Sequence, residues 1–466
     1  MANNSFLLCR SEVWPGESLG SYLVRLSRLN GYGAANEVER LCRERMAWDD
    51  KLAQPYRPET YEVISQLTKI LPYDVYKMTG HSLAPVVTPP EQTVETIRLS
   101  TGEDVPFLAW GNAKGHLGAR EDARYCPRCL QERPYHRRAW LPVMAAVCLE
   151  HQTLLARGCP QCGQVVRVQD VVSGRCPQCY FELADAPVQS VAGDAFGLWA
   201  QQAVLHWLGL ADAPISPLST LPDQPPAVLY RMLFTLRPAL LRVQRSRWPY
   251  WYRGVVPLPN QYDLLAWADM MRYKILEPKW VYLLAATAFK ALADWPEGFY
   301  AFLDAYRQRR DGRLGDTLRS SFGLVFGQCL ERHWLSPPFQ FVQEAFDRYL
   351  VERFTLNPSI LHTRRYQESE ELRRAFPFIT TAEAARLLHT TPKMIRRLVR
   401  RGELIPYRPL ETGDKKRDRK RGKKQAKSYQ FRLVRRDEVE TLRLRWQTAV
   451  PLPDVTSVLG VSKSVV

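Results

Sequence analysis

The sequence predicts a mainly α-helical, multidomain protein, with two zinc knuckle or ribbon modules between helical domains and a winged helix-turn-helix near the C-terminus. Three observations lead there. Four equally spaced pairs of metal-competent side chains fall within residues 121–185, proline-punctuated helical periodicity flanks them, and a capped pair of short helices followed by a basic run begins after residue 376. The expected division is 1–120 (helical N-terminal region), 121–185 (double metal module), 186–375 (all-α domain), 376–450 (winged helix-turn-helix) and 451–466 (start of a further element).

At 466 residues the chain exceeds what one compact core serves. Hydrophobic residues make up 45% and aromatic ones 11%, a globular composition, while 34 prolines predict short helices cut by turns. The formal charge of +17 favours a polyanionic partner, because Lys and Arg clusters displace counterions from phosphates. No apolar run approaches the roughly 20 residues of a membrane span, and the start MANNSFLLCRSEVWPGES lacks a basic stretch followed by a long apolar one. The expectation is a soluble, cytoplasmic protein with no membrane partner.

In the first region, WPGESLGSYLVRLSRLNGYG places Leu19, Tyr22, Leu23, Leu26 and Leu29 at helical spacing, with Asn30-Gly31 as the stop. The stripe is read as core packing. Further helices are expected in AANEVERLCRERM and PETYEVISQLTKILP, and LAPVVTPPEQT reads as a connection.

Seven of the ten cysteines fall between Cys126 and Cys179; Cys9, Cys42 and Cys329 stand apart and are read as ordinary small residues. The ligand pairs, in order, are Cys126/Cys129, Cys148/His151, Cys159/Cys162 and Cys176/Cys179. Two residues between partners let a tight knuckle aim both donors at one ion, at about 2.3 Å for sulfur and 2.0 to 2.1 Å for nitrogen. Eight donors close two tetrahedral sites with no position left for water, which predicts two structural Zn2+ ions rather than a catalytic one. Sequential pairing puts the first four donors on one ion and the last four on the other; a RING-type cross-brace is the alternative. Seven residues separate His151 from Cys159, and RGCPQCG and GRCPQCY look like halves of one ribbon, so sequential pairing is favoured. Nearby Arg124, Arg128, Arg137 and Arg138 leave nucleic-acid contact open.

Residues 186–375 carry helical, aromatic-rich segments such as AFGLWAQQAVLHWLGL, PAVLYRMLFTLRPALLRVQ, NQYDLLAWADMMRY, PKWVYLLAATAFKALADW, PEGFYAFLDAYRQRR and PPFQFVQEAFDRYLVERF. Within them, RVQRSRWPYWYRG interleaves Arg242, Arg245, Arg247 and Arg253 with Trp248, Tyr250, Trp251 and Tyr252. It reads first as an aromatic hinge, with Arg245 and Arg247 kept as candidate phosphate contacts.

In FITTAEAARLLHTTPKMIRRLVRRGELIPYR, Thr380 and Glu383 fit a capping box ahead of core-facing Ala384, Ala385 and Leu388. Thr391 then caps a second helix with Pro392 at its first position, Ile395 and Leu398 inward and Gly402 at its end. This helix-turn-helix pattern exposes Lys393, Arg396, Arg397, Arg400 and Arg401 as candidate DNA contacts. A β-wing followed by a helix is expected in IPYRP…SYQFRLVRRDEVETLRLRW. The basic loop between the wing strands adds Lys415, Lys416, Arg417, Arg419, Lys420, Arg421, Lys423 and Lys424, and the wing adds Arg432. The tail VTSVLGVSKSVV looks like the first helix and turn of another such unit, stopping where a recognition helix is expected to begin.

The opening WPGESLGSYLVRLSRLNGYG, the ordered knuckles YCPRC…CLEHQTLL…CPQCG…CPQC and the helical extension beyond them resemble the TniQ/TnsD family of transposon target-selection proteins. The length behind the knuckles is similar to the TnsD branch. The resemblance implies a non-catalytic adaptor that marks an insertion site in double-stranded DNA and recruits a TnsC-like AAA+ ATPase through its N-terminal region. Some members of the family instead ride on an RNA-guided CRISPR effector complex. An enzyme is not favoured, since neither a G-x-x-x-x-G-K-[ST] loop nor H-E-x-x-H occurs. A zinc-containing transcription regulator shares the DNA-binding half but leaves the N-terminal region unexplained.

Overall fold

The computed structural model describes residues 7–33, 35–109, 116–117, 122–214, 223–243, 252, 254–256, 277–307, 317–354, 356, 358–407 and 433–448. They are mainly helical, with short two-stranded sheets. The chain packs as two units: Met1–Arg309 with Gln328–Gln340, and Arg310–Gly327 with Phe341–Val466. Among the described residues no helix is long and apolar enough to cross a membrane.

The first unit starts with α1 (Leu19–Leu29), α2 (Glu37–Arg43), α3 (Pro58–Thr68), α4 (Pro72–Lys77) and the helical turn α5 (Ala84–Val87). Ser18 caps α1 by accepting the Ser21 N–H, and Gly31, at φ 72°, closes it while Tyr32 N–H reaches back to Ser27 O. Leu19, Tyr22, Leu23 and Leu26 are buried against Val38, Leu41, Tyr61 and Ile64. Leu29 departs from the expected stripe and is 47% exposed, because the last turn of α1 has run past the core. LAPVVTPPEQT is only partly a connection, since it contains α5. A hairpin of β1 (Glu95–Arg98) and β2 (Asp104–Phe107) follows, with Glu95 opposite Phe107. Four-residue strands give too few alternations to stand out in the sequence.

Among the described residues His81, His116 and His136 are buried in this unit. His81 accepts the Leu108 N–H at Nδ1 (3.1 Å) and donates from Nε2 to Pro55 O (2.7 Å), which fixes its neutral tautomer. His136 is fully buried with Ser18 Oγ 3.0 Å from its Nδ1. Burial pulls the pKa of His81 down to about 4 and that of His136 to about 3.

The metal module contributes β3 (Arg124–Tyr125), α6 (Pro127–Glu132), β4 (Val147–Cys148), β5 (Thr153–Leu154), β6 (Ala156–Arg157) and α7 (Val168–Ser173). Strand β3 pairs with β6, and β4 with β5. Beyond it lie α8 (Ala195–Trp207), α9 (Pro226–Val243), α10 (Pro278–Leu292) and α11 (Glu297–Arg307). Asp194 caps α8 through the Gly197 N–H (2.9 Å) and accepts the Tyr252 hydroxyl (2.5 Å). A Cβ at Gly197 would stand 2.0 Å from the Tyr282 hydroxyl, so only glycine fits there. Cys42 and Cys329 are buried and Cys9 is exposed. The predicted helix in NQYDLLAWADMMRY lies outside the described residues.

The second unit holds α12 (Leu318–Leu324), α13 (Gln340–Arg353), α14 (Arg364–Glu368) and α15 (Glu370–Ala375). Arg365 is buried here with Asp347 at 2.5 Å and Gln343 Oε1 at 2.6 Å, so the buried cation is both paired and hydrogen-bonded. Its last part runs β7 (Phe378–Thr380), α16 (Thr381–Leu387), α17 (Pro392–Arg400), β8 (Leu433–Arg435) and α18 (Arg436–Thr448). Ile379, Ala384, Ala385, Leu388, Ile395 and Leu398 share one core with Val434, Val439 and Leu442.

Thr380 caps α16 through the Glu383 N–H (3.1 Å), as expected, but the Glu383 carboxylate pairs with Arg436 at 2.7 Å. Thr380 also ends β7, opposite Leu433 of β8, and Arg436 begins the helix that follows β8, so the carboxylate ties the two segments together.

Both helices of this pair end alike. His389 N–H bonds to Arg386 O and Thr390 N–H to Ala385 O; Gly402 N–H bonds to Val399 O and Glu403 N–H to Leu398 O. The residue in the left-handed region is Gly402 (φ 77°) in one case and His389 (φ 49°) in the other. Replacing exposed His389 with Gly removes that Cβ strain and is expected to stabilise the unit by up to about 1 kcal/mol in urea unfolding. A lower midpoint would mean that the imidazole makes a compensating contact.

Candidate functional site

Pro127 starts α6 immediately after Cys126, which places Cys126 and Cys129 on one turn; the β4–β5 turn presents Cys148 and His151 to them. The Sγ and Nδ1 atoms of these four residues converge within 4.8 Å of one another. Cys129 Sγ lies 3.6 Å from Cys148 Sγ, and the three sulfurs lie 3.7, 3.3 and 3.6 Å from His151 Nδ1, in the order Cys126, Cys129, Cys148.

Cys159, Cys162, Cys176 and Cys179 form a second such cluster. Its halves repeat one geometry. Gly163 N–H bonds to Cys159 O and Tyr180 N–H to Cys176 O, while Cys159 and Cys176 donate their own N–H groups to Gln164 O and Phe181 O. Gly163 and Tyr180 both have positive φ, at 72° and 58°. Cys159 and Cys179 sulfurs stand 3.5 Å apart, and those of Cys162 and Cys176 3.6 Å. The structure therefore groups the eight donors in sequence order, four and four.

A tetrahedral ion with sulfur at about 2.3 Å and nitrogen at about 2.05 Å has S–S edges of about 3.8 Å and S–N edges of about 3.6 Å. Both donor sets fit Zn2+ in chemistry and spacing. The first also has an outer partner absent from the sequence analysis: His151 Nε2 lies 2.9 Å from Glu132 Oε1, the carboxylate–imidazole arrangement that orients a metal-bound histidine. Glu132 follows Cys129 by three residues on α6, a helical spacing that could have pointed to it.

The thiols are electrostatically interdependent. Bonds from Cys129 and Cys148 hold the Cys126 thiol well below the usual thiol range, and Cys126 pushes Cys129 up. At Cys159, burial is outweighed by the N–H groups of Cys162 and Gln161, which bring its thiol down to about 7. Cation binding selects the deprotonated form of every donor.

The stretch between the first two ligand pairs clasps the start of α1. Pro15 O accepts the Tyr135 hydroxyl (3.0 Å), Gly16 O the Arg138 N–H (2.7 Å), His136 O the Ser18 N–H (2.9 Å) and Ser21 Oγ the His136 N–H (3.0 Å). Buried Glu17 takes the Arg25 guanidinium at 2.7 Å, and Arg25 lies 4.1 Å over the Trp14 ring. Further along α1, Arg28 donates to Val172 O (2.8 Å), and Gly20 lets the helix approach Val168 of α7.

Three of the four arginines considered for nucleic-acid contact are engaged in this framework. Arg124 is buried and donates to the carbonyls of Val143 and Ala145; Arg137 pairs with Glu150 over Tyr135; Arg138 donates to Lys77 O. Arg128 is exposed.

In the second unit, α17 buries Ile395, Leu398 and Val399 and exposes Lys393, Arg396, Arg397, Arg400 and, at its C-cap, Arg401. Among the described residues no carboxylate pairs with the first four; Arg401 lies 4.0 Å from Glu403. Next to them, Tyr407 N–H bonds to Leu433 O (3.1 Å), and Pro406 bridges to Val434. Residues 408–432 thus leave from and return to neighbouring backbone, and their sequence has eleven Lys or Arg against three acids. Lys415, Lys416, Arg417, Arg419, Lys420, Arg421, Lys423, Lys424 and Arg432 lie outside the described residues, as do Arg245 and Arg247, the rest of the 244–251 stretch, Arg253 and the tail 451–466. The Arg242 side chain is likewise undescribed.

A comparison of the chain with curated proteins returns no match. The segment that runs from the clasped N-terminal helices through the first ligand cluster, residues 9–155, matches the family model described as TniQ.

Proposed function

We propose that the protein is a non-catalytic target-selection adaptor of a transposon, one that binds a duplex attachment site sequence-specifically and recruits a TnsC-like AAA+ regulator. The TniQ match over residues 9–155 carries this conclusion, since TniQ domains are associated with selection of transposition targets. Both four-donor clusters are assigned structural Zn2+, because each offers a closed tetrahedral set.

For the DNA-binding role, support comes from α16 and α17: two capped helices joined by the four residues 388–391, with the second exposing Lys393, Arg396, Arg397 and Arg400, which no carboxylate pairs among the described residues. A helix of this size enters a major groove, and its charges suit phosphates and guanine edges. The Tyr407–Leu433 backbone bond and the isolated Pro406–Val434 bridge are suited to the base of a wing that would bring the basic 408–432 segment to the same face, making the whole a winged helix-turn-helix. A TnsD-like assignment rests on this rear half. The TniQ domain in front is the part assigned to the ATPase.

The direct test is a footprint of the purified full chain on host DNA without other factors, followed by ATP-dependent capture of the cognate ATPase on the same DNA. A discrete protected site and co-capture are expected. Uniform protection, or metal-dependent strand cleavage by the protein alone, would overturn the assignment. Reversing the charge of the basic segment, by replacing Lys415, Lys416, Arg417 and Arg419 with Glu, is expected to weaken binding on every duplex and flatten its salt dependence.

A further inference from the structure

We propose that Lys393 and Arg397 read base edges while Arg396 and Arg401 hold the phosphate walls on either side; this rests on the duplex-DNA assignment of the C-terminal segment. In the sequence the five cations look equivalent. The burial pattern of α17 separates them.

Ile395, Leu398 and Val399 are the buried side chains of this helix, at 0%, 2% and 9% exposure, so they fix the direction of the core. With about 100° between successive residues, the opposite direction falls within about 35° of Lys393, Arg397 and Arg400. Arg396 and Arg401 lie about 70° from it, one on each side. A helix lying in a major groove meets the base edges with its outermost line and the two sugar–phosphate ridges with its flanks.

Depth along the groove divides the central line further. The first turns of a recognition helix sit deepest, and Thr391 and Pro392 start α17 just ahead of Lys393. Lys393 and Arg397, one turn apart, therefore take adjacent base pairs, whereas Arg400 follows the same line toward the shallower end. Arg397 can donate two parallel bonds to the O6 and N7 of a guanine, and Lys393 can donate to the same atoms as a point charge. Arg401 differs from the others in having Glu403 beside it, which offsets part of its charge and suits a phosphate contact more than base reading.

The test starts with selection of bound sequences from a random duplex library by the full chain, followed by repetition with single variants. All four side chains are exposed, so the variants are expected to fold. Wild-type protein should enrich a motif. Arg397→Lys keeps the charge but loses the two-pronged donor geometry, so it should erase a preference of about 5- to 150-fold at one base pair and leave the salt slope unchanged. Lys393→Ala should relax the neighbouring pair. Arg396→Ala and Arg401→Ala should retain the motif, weaken all duplexes alike and reduce the salt slope by about one. If Arg396→Ala rewrites the motif while Arg397→Lys leaves it intact, the assignment within α17 is wrong although the DNA-binding role stands. If wild-type protein binds duplexes but enriches no motif, sequence-specific reading fails and this assignment with it; if it binds none, the DNA-binding role itself is lost.

Discussion

Replacing Cys129 with Ser is expected to cut bound zinc from two ions per chain to one and to unfold the front of the first unit. The side chain is almost fully buried and stands 3.6 Å from one thiol and 3.3 Å from the imidazole of its cluster. A serine hydroxyl does not ionise near neutral pH, so the tetrahedron loses a charged donor. Structural zinc contributes on the order of 10 kcal/mol to small modules, comparable with the roughly 5 to 15 kcal/mol that holds a domain folded. The damage should spread, because the stretch that clasps α1 is suspended between the two ligand pairs; amide exchange in α1 should therefore accelerate. Cys159→Ser should release the other ion and loosen α7. Elemental analysis with amide exchange reads both results. Retention of two ions by either variant would mean that the ligand assignment is wrong.

Acidification is the second large effect. The imidazoles of His81 and His136 bind a proton near pH 6.5 in the unfolded chain but only near pH 4 (His81) and pH 3 (His136) in the folded one. Below about pH 6.5 the unfolded state therefore holds protons that the folded state refuses, and stability falls as the pH drops toward those lower values. At about 1.4 kcal/mol per unit for each group, lowering the pH from 7.5 to 5 is expected to cost on the order of 4 kcal/mol in total. Urea midpoints across this range measure the loss, and metal content on the same samples separates it from acid release of zinc. His81→Gln can keep both backbone bonds without titrating, so the pH dependence should become shallower; an unaltered slope would exclude His81 as its source.

Local spacing made some of the molecule legible in the sequence. The eight candidate metal ligands could be named because two-residue gaps dictate knuckles, and α1, α16 and α17 because caps, glycines and apolar spacing agree within each segment. Contacts between distant segments left no such trace. Nothing in RPYHRRAW announces that its backbone receives Gly16 and Ser18, or that His136 is among the most deeply buried groups of the front unit. Arg124, Arg137 and Arg138 looked like surface charges because composition cannot reveal which carbonyls or carboxylates a guanidinium will meet. The β1–β2 hairpin and the exposure of Leu29 escaped for a related reason: short strands and helix ends carry too few residues for a period to declare itself.

The clasp at the start of α1 bears on how the chain's most recognisable words should be understood. The groups that make WPGES distinctive are occupied internally: two carbonyls, an amide and a carboxylate all face other parts of the same unit. That leaves the motif little capacity to grip a ligand. It acts as a joint, and any chain spelling both halves of it can be expected to assemble the same rigid prow, whatever cargo it tows behind.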